Sequence, residues 1–76
     1  MHPRRADYRL SAALIRAIRN SPLSLNAIGW PQGIAQPRMS AFIKGTPFSA
    51  ATREKFIRIA ESLGVSETDA IRKVTR

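Results

Sequence analysis

The sequence predicts an all-α fold, a compact bundle of five short helices. Apolar residues recur at three- and four-residue spacing in separate stretches, none of which alternates apolar with polar positions as a half-buried strand would, and capping or breaking residues bound each one. The chain has 76 residues and no cysteine, so its stability has to come from helix packing rather than from disulfides.

Residues 1–6 read as a flexible basic arm, because Pro3 and the Arg4–Arg5 pair lie outside any apolar periodicity, and residues 7–76 read as one domain. The first helix is expected from about Asp7 to Asn20. Asp7 caps it, Leu10, Leu14, Ala17 and Ile18 form its buried stripe with Ala13 assisting, and Asn20, Ser21 and Pro22 stop it. Ser24 offers the N-cap of a second helix carrying Leu25, Ala27 and Ile28. Inside that helix Pro31 would remove a hydrogen bond and press on the carbonyl of Ala27, so the helix is expected to end or kink near Trp30.

A third helix is expected from about Gln36 to Lys44, with Ala35 at a cap position where it offers no side-chain oxygen and Pro37 tolerated in the first turn. Thr46, Pro47 and Phe48 form a loop whose Phe48 turns to the core. Ser49 caps a fourth helix to about Leu63, apolar at Phe56, Ile57, Ile59, Ala60 and Leu63 and ended by Gly64. Val65 packs underneath. Ser66 with Asp69 has the spacing of a capping box and opens a fifth helix that carries Ala70, Ile71 and Val74 to the C-terminus.

The most informative stretch runs from Gly33 to Gly45, GIAQPRMSAFIKG. Gly33 opens it where positive φ is cheap for glycine, and Gly45 closes it as a residue that can turn left-handed. Between them Ile34, Met39, Phe42 and Ile43 take helical spacing toward a core, while Gln36, Arg38, Ser40, Ala41 and Lys44 fall on or near the other face. This stretch resembles the second half of the helix-turn-helix of the Xre/Cro, lambda-repressor-like family, whose usual form is Gly-Ile-Ser-Gln followed by an apolar pair and a later glycine. The phrase RIAESLGVSETDAI, from Arg58 to Ile71, is similar to the family's closing helices, so the resemblance covers about residues 10 to 71. The chain departs from the family at Gly29, where relatives carry alanine, and at Gln32, where they place an apolar residue; Trp30 is expected to supply the missing core contact. The loop before the fourth helix is also longer, by about two residues.

Thirteen Lys and Arg against five Asp and Glu give a net charge of +8. Residues 1–47 hold seven of the basic groups (Arg4, Arg5, Arg9, Arg16, Arg19, Arg38 and Lys44) against Asp7 alone, so the excess travels with the third helix. Such a field suits a polyanion, because each neutralised phosphate releases condensed counterions.

The resemblance implies that the third helix enters the major groove of DNA, N-terminal residues first. Gln36 stands where the family's leading glutamine contacts bases, and a primary amide pairs bidentately with adenine N6 and N7. Arg38 suits guanine O6 and N7, while Ser40 and Ala41, one turn on, suit a hydroxyl contact and a thymine methyl. The plainer roles are that Gln36 caps its own helix and Arg38 meets a phosphate. Phosphate contacts are expected from Ser24 and Asn26 at the start of helix two and from Lys44 and Thr46 after helix three, with a solvated polar surface as the alternative, and from Arg4 and Arg5 along the backbone or in a narrow minor groove, with an ordinary disordered tail as the alternative. Tyr8, Trp30, Phe42, Phe48 and Phe56 read as core residues rather than as platforms for stacked bases.

Catalysis has little to draw on. His2 is the one histidine, and Asp7, Glu54, Glu61, Glu67 and Asp69 form no acid–base or metal motif; Glu54 and Arg58 are an i,i+4 pair. No cofactor and no metal are expected. No apolar run reaches the length of a spanning helix, and a cytoplasmic location is expected. The resulting expectation is a sequence-specific, double-stranded-DNA-binding transcriptional regulator, repressor-like and not an enzyme. Family members usually bind as two-fold dimers, and helix five is the candidate homodimer contact through Ile71 and Val74, whose plainer role is packing within one copy. The alternative is a helical protein-interaction module, such as an antitoxin that holds a toxin or other protein partner; its mark would be an exposed apolar patch on helices four and five.

Overall fold

The computed structural model describes residues 6–74, which leaves Arg4, Arg5 and His2 outside the described residues. The elements run β1 (Tyr8–Leu10), α1 (Ala12–Asn20), α2 (Leu25–Gly29), a 3₁₀ turn (Trp30–Gln32), α3 (Gln36–Ile43), α4 (Ala50–Ser62), α5 (Glu67–Ala70) and β2 (Ile71–Lys73). The expectation of an all-α bundle is therefore corrected: the fold is mostly helical but carries a two-stranded antiparallel sheet that brings its two ends together.

Both strands lie where helix was expected. Asp7 does not cap α1; Ser11 does, in extended conformation, with its Oγ accepting the Leu14 N–H at 3.1 Å. The Ser11 hydroxyl in turn donates to the carbonyl of Asp69, and the Ser11 N–H donates to the Ala70 carbonyl at 2.9 Å. These bonds across the length of the sequence hold residues 8–10 in extended form, where Tyr8 faces Lys73, Arg9 faces Arg72 and Leu10 faces Ile71. On its other edge β1 bonds to Phe48, by Tyr8 N–H to Phe48 C=O at 3.1 Å and the reverse at 2.8 Å. At the C-terminal end Ser66 does bond Asp69, hydroxyl to Oδ2 at 2.9 Å, but α5 lasts one turn and Ile71 leaves it at φ −124°, ψ 135°. Ile71 and Val74 are thus not on a helix: Ile71 begins β2 and Val74 follows its end. Replacing Ser11 by alanine removes a cap and takes the hydroxyl from the part-buried bond to the Asp69 carbonyl, and it should cost about 1–2 kcal/mol in a urea melt.

The core is built from α1, α3, α4 and the loop before α4. Leu14, Ile18, Ile34, Met39 and Phe56 are fully buried. Phe42, Phe48 and Phe56 form a mutual cluster with ring centroids 5.1–5.4 Å apart, Phe42 standing edge-on to both others. Phe56, Ile57, Ile59 and Ala60 put the apolar side of α4 inward, as its spacing predicts. Trp30 goes the other way: it is 68% exposed and supplies no core contact, which corrects the expectation for it. Tyr8 is half-buried, with the Arg53 guanidinium over its ring at 5.4 Å. Arg53 also pairs with Glu54 and Glu67, both at 3.2 Å, and Arg58 bonds Gln32 rather than forming the i,i+4 pair with Glu54.

Candidate nucleic-acid interface

The orientation of α3 is set by the turn before it. Pro31 ends α2 as its missing N–H requires, and the chain passes through the 3₁₀ turn to Gly33 at φ +73°. The Gly33 N–H bonds the Trp30 carbonyl at 2.8 Å and the Ile34 N–H bonds the Gly29 carbonyl at 2.9 Å, the nested pair of a Schellman motif. Ile34, fully buried, then anchors the start of α3. Gly29 is the point of closest approach. A Cβ there would lie 2.6 Å from the Ile34 carbonyl oxygen and 2.6 Å from Met39 Cγ, so α2 and α3 sit closer than an alanine would allow.

Ala35 occupies the N-cap of α3 without a side-chain bond, and Pro37 lies in the first turn, where it takes away one free N–H. Met39 and Phe42 are buried and Ile43 half-buried, which fixes the inward side. At about 100° per residue, Pro37, Ala41 and Lys44 lie opposite, Ser40 and Arg38 flank this face on its two sides, and Gln36 stands nearer the inward side, above Ile43, in the first turn. Gln36, Arg38 and Lys44 are exposed; Ser40 and Ala41 are half-buried. The Arg38 guanidinium rests over the Phe42 ring at 5.4 Å, so it must swing out to reach anything in front of α3.

The remaining expected contacts are spread around this helix. Ser24 caps α2, its Oγ accepting the Ala27 N–H at 3.1 Å, and is exposed, as is Asn26. Lys44 caps the C-terminal end of α3, and Thr46 is exposed beyond it with its N–H on the Ala41 carbonyl. One groove brings Ser40 and Lys44 together with Arg19 and Ser21 from the end of α1. The sequence puts Arg16 and Arg19 three residues apart and therefore on one side of α1, but only the packing brings Arg19 beside Lys44. Arg9 and Arg72 form a second cationic pair, directly opposite each other across the sheet.

Charge is segregated along the chain. From Tyr8 to Arg53 there is no Asp or Glu, while Arg9, Arg16, Arg19, Arg38, Lys44 and Arg53 fall in that span. α1, α2 and α3 thus present an acid-free surface, and the carboxylates sit on Asp7, α4 and α5. Compared with protein-family models, with curated proteins and with solved structures, the chain matches none. Among the described residues no helix is long and apolar enough to cross a membrane.

Proposed function

We propose that this protein binds double-stranded DNA through α2, the glycine turn and α3, and acts in the cytoplasm as a transcriptional regulator by occupying its site rather than by chemistry. The observation that carries the reading is the acid-free, cation-bearing surface around α3, whose exposed Gln36, Arg38 and Lys44 project from a helix braced by the Schellman turn and by buried Ile34, Met39 and Phe42. The resemblance of GIAQPRMSAFIKG to the reading helix of the Xre/Cro family supports the same assignment. Within it, Gln36 addresses base edges from the first turn of α3 and Arg38 from one flank of its outward face, Ser40 and Ala41 offer small side chains that permit close approach, and Lys44, Thr46, Ser24 and Asn26 meet phosphates.

Gel retardation of mixed genomic duplex tests this directly. The full chain should retard duplex at low salt and lose affinity steeply as salt rises. Lys44→Ala should weaken all sequences alike and reduce the log–log salt slope by about one. Arg38→Ala should cost about 1–3 kcal/mol on preferred sequences and relax preference at one base pair. Binding unaltered by both changes would place the contact elsewhere on the protein.

A further inference from the structure

The helical module expected as an alternative would carry its apolar patch on helices four and five, but the apolar residues of α4 are largely buried. The exposed apolar surface lies instead beside α3. A groove of about 350 Å³ runs between the end of α1 and α3, floored by Ile18, Leu25 and Ile43 and edged by Leu23, which is 56% exposed. Arg19 and Lys44 stand on its rim. A second depression continues it along α1, sharing Arg19 and Ile43 and adding Ile15 and Arg16. The result is an apolar channel with three cations beside it and no carboxylate on any of the helices that form it.

We propose that this groove docks an acidic amphipathic helical segment of another protein, with apolar side chains on Leu23, Leu25 and Ile43 and carboxylates on Arg16, Arg19 and Lys44. Charge complementarity selects this occupant. A second copy of the chain would bring another net +8 to a cationic rim and is disfavoured. A duplex would satisfy the rim, but its phosphates have nothing to place on an apolar floor. Lys44 and Ser40 belong both to the groove and to the face assigned to DNA, so segment and duplex exclude each other; this consequence alone rests on the DNA-binding reading.

The test is fluorescence anisotropy of the full chain with a labelled synthetic helix of about 15 residues that carries leucines along one stripe and glutamates elsewhere. The control helix has serine in place of each leucine at the same net charge. The leucine-striped helix should bind at least about tenfold more tightly than the serine-striped one, and Leu23→Ser and Arg19→Gln should each weaken it by about tenfold. Leu23→Ser should leave the thermal melt and duplex retardation unchanged, and Trp30→Ser, at the other large exposed apolar residue, should leave peptide binding unchanged. Equal binding of the two helices, indifference to Leu23→Ser, or loss of binding on Trp30→Ser overturns the proposal. Failure to bind the helix by a protein that still retards duplex overturns the groove and leaves the DNA reading standing. Helix binding by a protein that retards no duplex does the reverse.

Discussion

Phe56→Ala should remove a large part of the stability of this fold. Phe56 has no exposed surface and touches both other phenylalanines, edge-on to Phe42 and tilted against Phe48, so its ring joins α4 to α3 and to the loop paired with β1. Truncating a buried phenylalanine costs about 3–5 kcal/mol, the lost transfer free energy plus a cavity that close-packed neighbours fill only in part. A domain of this length has roughly 4–11 kcal/mol in all. The midpoint of thermal unfolding should fall by roughly 12–40 °C, because in domains of this size each kcal/mol is worth about 4–8 °C. Phe56→Leu, which retains most of the volume, should lose much less. Circular dichroism melts of the three proteins check both statements, and a loss below about 1 kcal/mol for alanine would mean that the cluster is not the center of the core.

Gly29→Ala should destabilise the protein although every local rule favours it. Gly29 has φ −84° and ψ −33°, a helical conformation in which alanine is preferred to glycine by about 0.8–1.0 kcal/mol. The added methyl, however, meets two atoms at 2.6 Å. Met39 Cγ belongs to a flexible side chain and can shift. The Ile34 carbonyl belongs to the backbone of the turn, and moving it displaces α3. Overpacking of this kind typically costs about 1–3 kcal/mol, so the net change should be a loss in urea-induced unfolding, accompanied by weaker duplex binding from a misplaced α3. A variant more stable than the parent would show that α2 and α3 are not held at this separation.

What the sequence makes legible is local. Ser24 caps α2, Pro31 ends it, Gly33 takes the left-handed turn and α3 starts at Gln36, because each depends on the chemistry of neighbouring residues. The sheet is not legible for a physical reason. Leu10, Leu14 and Ile18 fit one helical stripe whether or not Leu10 is helical, and a three-residue strand is too short to display its own period. What decides β1 is its pairing with residues 71–73, which no local pattern encodes. Ser66 and Asp69 likewise form their side-chain bond, yet the helix that they open is cut short where Ile71 joins Leu10. Trp30 reads as core by residue type alone, whereas the close packing at Gly29 and the turn at Pro31 leave it outside. At the candidate site, the exposed side of α3 follows from its periodicity, but the alignment of Arg19 with Lys44 needed the packing of α1 beside α3.

The most direct measurement of the central claim, that α3 reads base pairs, is selection of bound duplexes from a random-sequence pool by the parent protein and by Arg38→Ala. The parent should enrich a defined short motif, and a palindrome with half-sites about one helical turn apart would further show that two copies bind together. Arg38→Ala should enrich the same motif with the preference lost at one position, a guanine in the parent's motif. A parent pool that stays random, or a motif identical for both proteins, would contradict the assignment of α3 as the reading helix with Arg38 among its base contacts.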